Sequence, residues 1–205
     1  MLFTTPALLA LISAPLAFAA PSPKPSYKSD CKKDFDKKWN SHDNSWMKNE
    51  KLFYFDAEYV VKATPDQVIA TTGEPAPGQP GARGLFKYGI NVAENTICYN
   101  ITLSGVTGQY QSAAITATHI HEAVKGKAGP PRLAFPNPTG PDERRTSYGC
   151  LKGPFFVNVT NAATGKDQAD GFHVSQIVAN PKGFFTDTHT SQFLSGAVRG
   201  QLPGY

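Results

Sequence analysis

From Leu52 onward the chain is a succession of short β-branched and aromatic runs, separated by stretches dense in Gly and Pro. That texture constrains the fold more than anything else in the sequence. Runs of five to twelve residues cut by turn-forming clusters leave little room for long helices. Strand character is expected near Leu52–Ala63, Gln67–Thr71, Leu85–Val92, Thr96–Leu103, Ala113–His121, Phe155–Asn161, Phe184–His189 and Ala197–Leu202. The turns include Gly73–Gly84 and Ala128–Pro141. One segment departs from the pattern: Val174, Ile177 and Val178 follow helical spacing and stop at Asn180-Pro181. The expected fold is mostly β, an antiparallel β-sandwich of immunoglobulin-like or Greek-key type with one short helix.

Ahead of this domain lie two segments of different character. Residues 1–19 read as a signal peptide: Leu8 to Ile12 form a short apolar core, and Ala17-Phe18-Ala19 supplies the small residues of a cleavage site. The core is too short for a bilayer, which takes about 20 apolar residues, so no membrane span is expected. Residues 20–50 read as a lysine-rich, partly disordered arm. Between Lys24 and Lys51 there are eight lysines against five acids, +3 of the chain's net +4. The positive excess is local and interleaved with acids, which argues for a solvated face and against a nucleic-acid partner. The domain itself is placed at residues 51–205.

An exported chain meets an oxidising compartment, where two of Cys31, Cys98 and Cys150 should pair. The preferred pairing is Cys98 with Cys150, leaving Cys31 for an intermolecular bond or a tether. The connectivity is open at this level. The sequons at Asn100 (Asn100-Ile101-Thr102) and Asn158 (Asn158-Val159-Thr160) fit passage through a glycosylating route. Expected localisation is secreted, extracellular or cell-wall.

The chemistry concentrates in Thr118-His119-Ile120-His121-Glu122. Residues two apart on a strand share a face, so His119 and His121 project side by side. A third histidine, His189, follows in Thr186-Asp187-Thr188-His189, again on an expected strand. If that strand packs beside the first, the three imidazoles converge, a set that suits copper or zinc. Asp187, Glu122 and Arg199 are the charged residues expected around them: Asp187 on the same face, Glu122 beside the pair, and Arg199 as partner of Asp187 or of an anion. The competing reading is that the paired histidines bond to backbone and hydroxyl groups and hold no metal. No nucleophile elbow, phosphate-binding Gly-rich loop or His-Glu-x-x-His helix occurs, so no catalytic residue is assigned.

Several motifs taken in order resemble the CHRD domain, a module first recognised in chordin. They are Leu103-Ser104-Gly105-Val106-Thr107-Gly108, then Thr118-His119-Ile120-His121, Ala128-Gly129-Pro130-Pro131, Phe185-Thr186-Asp187-Thr188-His189-Thr190, and Val198-Arg199-Gly200-Gln201-Leu202. The resemblance runs from about Leu52 to Leu202 and is closest to the single-domain secreted fungal members; Glu122 stands where the family usually has glycine. It implies an extracellular β-sandwich of undefined biochemical activity. A second likeness lies in His119-Ile120-His121-Glu122 with Ala128-Gly129-Pro130 and Phe135-Pro136-Asn137-Pro138, which resembles the copper-ligand strand and following loop of copper/zinc superoxide dismutases. By that analogy His189 completes a copper site and Arg199 guides an anion, while the bridging and zinc-ligand histidines have no counterparts between Phe135 and Cys150. The expected function is a secreted or cell-wall CHRD-domain protein with a non-enzymatic binding or surface role. A cell-wall glycan or extracellular protein would be its partner, and a bound metal a feature of it. The alternative is a copper-dependent redox enzyme.

Overall fold

The computed structural model describes residues 54–204. Residues 1–53, with the expected signal peptide, the lysine-rich arm and Cys31, lie outside the described residues. Eight strands form two antiparallel four-stranded sheets. The first comprises β1 (Ala57–Ala63), β2 (Arg83–Asn91), β3 (Thr96–Ser104) and β6 (Arg145–Lys152), in the order β1-β2-β3-β6. The second comprises β4 (Thr118–Glu122), β5 (Pro131–Phe135), β7 (Phe184–Thr190) and β8 (Phe193–Gln201), in the order β5-β4-β7-β8. The chain crosses between sheets after β3, after β5 and after β6, so β6 returns beside β3 and β7 beside β4. These are Greek-key connections. Among the described residues one short α-helix, α1 (Ser175–Ala179), precedes β7, where the sequence placed it. Among the described residues no helix is long and apolar enough to cross a membrane.

The first sheet follows the half-buried rule. β1 alternates strictly between buried and exposed residues, presenting Tyr59 and Val61 to the core. Phe86, Tyr88 and Ile90 of β2 and Ile97, Tyr99, Ile101 and Leu103 of β3 continue that face. Ile120, Leu133, Phe135, Val198 and Leu202 meet them from the second sheet. Tyr99 and Phe135 pack ring to ring at 4.9 Å, and Tyr88 and Phe135 at 5.4 Å. Aromatic pairs at such separations contribute about 0.5–1.5 kcal/mol each beyond the area they bury.

The second sheet is buried on both faces. Six of the seven residues of β7 are buried. Its even-numbered residues face the core, where the Tyr88 hydroxyl lies 2.8 Å from that of Thr186, and the hydroxyls of Thr118 and Thr188 lie 3.2 Å apart. Phe185, Asp187 and His189 project from the opposite face, and the loops that cover that face complete the site described below.

Cys98 and Cys150 are disulfide-bonded and stand directly opposite each other on β3 and β6. Some expected elements differ. The segment expected as a strand over Gln67–Thr71 follows a 3-10 turn at Pro65–Gln67 and makes one isolated bridge, Ile69 to Pro75. Phe155–Asn161 is irregular: Asn158 takes a left-handed conformation (φ 60°), which ends strand geometry there. Strand β5 lies in a stretch expected as a turn, and β6 in one where no strand was expected. Both are edge strands of their sheets, β5 opens on Pro131, and most of β6 is only half buried. An edge strand tolerates proline and needs no continuous apolar face, so neither announces itself in the sequence.

Candidate metal centre

Strand pairing brings the histidines together. His119 stands opposite Asp187 on β7, and His121 opposite Phe185. Period-two geometry therefore puts His119, His121, Asp187 and His189 on one face, away from the core. The β7–β8 register shifts between Thr188 and Thr190, so His189 sits at an irregularity in the ladder, and its backbone N–H donates to the Ala117 carbonyl at 2.8 Å. Irregularities of this kind re-aim a side chain. The facing atoms of the four side chains all lie within 4.8 Å of one another.

Asp187 is the hub. Its Oδ1 lies 3.2 Å from His121 Nε2 and 3.6 Å from His119 Nδ1, and its Oδ2 lies 3.2 Å from His189 Nε2. His119 and Asp187 are 1% and 3% exposed, which leaves almost no water to solvate them. Such burial raises the question of how a carboxylate and three imidazoles satisfy one another.

The outer nitrogens answer part of it. His119 Nε2 lies 2.7 Å from the Thr116 carbonyl, His121 Nδ1 2.8 Å from that of Gly129, and His189 Nδ1 2.9 Å from that of Leu194. A carbonyl oxygen only accepts, so each of these nitrogens carries the proton and donates it. In a neutral imidazole the other nitrogen then presents a lone pair, and in all three rings that nitrogen faces the centre of the cluster. Backbone carbonyls holding the far side of each ring are the usual way a protein fixes the tautomer and orientation of a histidine ligand. Gly129 is needed for its carbonyl to reach His121: a Cβ there would come within 2.0 Å of the Glu122 carbonyl oxygen.

The inner atoms are left over. His119 Nδ1, His121 Nε2 and Asp187 Oδ1 are buried and face one another, with no hydrogen-bond partner outside the cluster. Burial alone would raise the Asp187 carboxyl; the charges of His121 and His189 and the bonds offered by His119 and His121 outweigh it and hold the group well below the usual carboxylate range. Burial dominates at His119 and pushes it down toward the neutral form, against the pull of Asp187. At His189 burial acts in the same direction, but the adjacent Asp187 charge overcomes it and raises the group. The centre is thus a buried anion facing three imidazole nitrogens, which a proton held by His189 satisfies in part and a cation between the four side chains would satisfy in full.

A first-row cation bound at 2.0–2.1 Å in tetrahedral geometry would have ligand atoms about 3.3–3.4 Å apart. The carboxylate–imidazole separations bracket that value. Three nitrogens and one oxygen form a donor set suited to zinc or copper, whereas calcium and magnesium favour oxygen-only shells. The residues present fit such an ion, and a bound metal would supply charge neutralisation and Lewis acidity there. Above the site opens a cleft of about 780 Å³, lined by the three histidines with Gln111, Pro130 and Val159 among others, and by no Lys, Arg, Asp or Glu.

Of the surrounding charges named from sequence, only Asp187 belongs to the cluster, and it stands among the ligand atoms themselves. Glu122 turns away: its Oε2 accepts from Arg132 Nε and Nη2, both at 2.8 Å, on the neighbouring strand β5. Arg199 is opposite Asp187 in register but forms no ion pair with it. Its guanidinium lies over the Phe185 ring, 3.4 Å from the centroid, and Nη2 donates to the Lys127 carbonyl at 2.6 Å. It is absent from the histidine-lined cleft and borders a smaller one near Lys125. Phe185 escaped the sequence reading. Its ring stacks on His121 with centroids 4.8 Å apart and planes 4° from parallel, and its place two residues before Asp187, on the same face of β7, was the available signal.

The family model for the CHRD domain matches residues 60–202 of the chain. No curated protein and no solved structure matches it. The match begins within β1, spans both sheets and includes all four residues of the cluster. The chain belongs to the CHRD domain family, whose domains are typically extracellular.

Proposed function

We propose that this is a secreted CHRD-domain protein that binds one copper or zinc ion through His119, His121, Asp187 and His189, in a non-enzymatic binding or surface role outside the cell. One observation carries this reading. Three imidazoles are anchored on their outer nitrogens by backbone carbonyls, so that their inner nitrogens converge on a buried carboxylate, and those of His119 and His121 have no hydrogen-bond partner outside the cluster. A purely structural cluster would spend those lone pairs on donors. The disulfide and the typical setting of the family support an extracellular location. A wall glycan or an extracellular protein is the class of partner such a surface protein would have.

The test is elemental analysis of the purified full chain after zinc or copper loading and desalting. Near-stoichiometric metal in the parent, lost in His121→Ala, supports the reading. Metal content that ignores His121→Ala ends it.

A copper-dependent redox activity is the second reading, and the cleft favours it, since small molecules in solution would reach a bound metal. Arg199 does not serve as its anion guide, because the guanidinium is held at Lys127 and Phe185. Superoxide consumption by the copper-loaded chain separates the two readings: a rate no greater than that of His121→Ala leaves the binding role alone.

A further inference from the structure

Among the described residues three aromatic side chains are exposed: Tyr54, Tyr148 and Phe156. Two of the three stand beside the two glycosylation sequons. Tyr148, 80% exposed, is directly opposite Asn100 across the β3–β6 ladder, so both side chains project from the outer face of the first sheet. Directly opposed residues on one face have Cβ atoms about 4.5–5.5 Å apart. Phe156, 58% exposed, lies two residues ahead of Asn158. Buried Val157 separates them, and both flanking residues point to solvent. Asn100, Asn158 and Thr160 are exposed and Thr102 is half exposed, so neither acceptor is hidden by the fold.

Single exposed rings are ordinary on a protein surface; what marks these two is that each stands beside an acceptor asparagine. A pyranose with equatorial substituents presents a face of C–H groups that covers such a ring well, and this is the chemistry an N-linked N-acetylhexosamine would bring to both positions. We propose that Asn100 and Asn158 carry N-linked glycans, and that the first sugar of each lies on Tyr148 and Phe156 respectively. The group transferred is the oligosaccharide of a lipid-pyrophosphate donor. Asn Nδ2 bonds to the anomeric carbon, the bond from that carbon to the pyrophosphate oxygen breaks with its electron pair leaving on the lipid pyrophosphate, and the amide loses one proton. The inference rests on the extracellular reading given above.

The full chain is expressed behind the host's own leader in a glycosylating eukaryotic cell, which separates this test from the export activity of residues 1–19. Glycopeptide mass spectrometry on chain recovered from medium and from the secretory pathway reads occupancy. Trimming with an endoglycosidase that leaves one sugar then isolates the contact. Both asparagines should be occupied, and the single-sugar form should keep the thermal midpoint of the full glycoform. Asn100→Gln should lower the midpoint by about 2–4 °C, and that difference should vanish when Tyr148→Ser is already present. The Asn158→Gln and Phe156→Ser pair provides a second, independent cycle. Unoccupied sequons, or a glycan effect that persists undiminished after both aromatic substitutions, overturn the proposal.

Discussion

The imidazole of His121 lies flat on the ring of Phe185, with 4° between their planes. Phe185 is on the strand between those of His121 and Arg199, and it also carries the Arg199 guanidinium 3.4 Å from its centroid. One buried aromatic side chain thereby fixes the rotation of a candidate ligand and gives a buried cation a surface to rest on. Ligand orientation set this way is part of metal affinity, because a ring free to turn must lose that freedom on binding.

Replacing Phe185 by leucine should therefore weaken metal binding about 10–100-fold, while Phe185→Tyr, which keeps the ring, should stay close to the parent. Chelator competition against the folded proteins measures both. Equal affinity in all three would show that His121 needs no such support.

Asp187→Asn keeps the shape of the side chain and removes the charge that the inward nitrogens face. The buried pair with His189 is broken, and the metal-free protein should lose about 3–5 kcal/mol of stability in urea titration. Metal affinity should fall as well. A variant as stable as the parent would mean that Asp187 is not the anion at the hub.

Glu122→Gln should change metal affinity less than twofold. Its carboxylate is committed to Arg132 on β5 and reaches nothing in the cluster. The same titration checks this, and a tenfold loss would place Glu122 at the metal after all. Stability should change little, since a part-exposed pair of this kind contributes about 0.2–1 kcal/mol.

Metal affinity should rise with pH. Protons and metal compete for the inner nitrogens, and ligands must give up their protons to bind. His189 is raised above its ordinary range by Asp187 and so is the ring that holds a proton against the metal, whereas burial holds His119 toward the neutral form that binds. Titrating affinity between about pH 5 and 8 should give a curve that climbs with pH. A flat curve would contradict ligation by imidazole.

Breaking the disulfide should separate fold from site. Cys98→Ser with Cys150→Ser removes a crosslink in the first sheet, while the cluster is on the outer face of the second. Stability should drop by about 2–5 kcal/mol, and below the lowered thermal midpoint metal stoichiometry should be unchanged. Loss of metal in a still-folded variant would show that the two sheets are coupled more closely than their contacts suggest.

Much of this was legible in the sequence for specific reasons. β1 to β3 alternate apolar and polar residues against one core, so their pattern announces both strand and face. His119 and His121 are paired by strand period alone, and His189 is found through its likeness to them. Asp187 was visible as a neighbour on the right face, but its place among the ligand atoms depends on the antiparallel register of β4 and β7, which no local pattern fixes. Arg199 was misassigned for a related reason. Register sets it opposite Asp187 as expected, but the Phe185 ring and the Lys127 carbonyl lie nearer and hold it. The carbonyls of Thr116, Gly129 and Leu194, which orient the three rings, carry no side-chain signature at all.

X-ray absorption at the metal edge of the zinc-loaded full chain tests the central claim most directly. The account predicts one ion per chain with three imidazole nitrogens and one carboxylate oxygen at about 2.0–2.1 Å. Fewer than two imidazoles in the shell, or a chain that retains no metal through desalting, would contradict it.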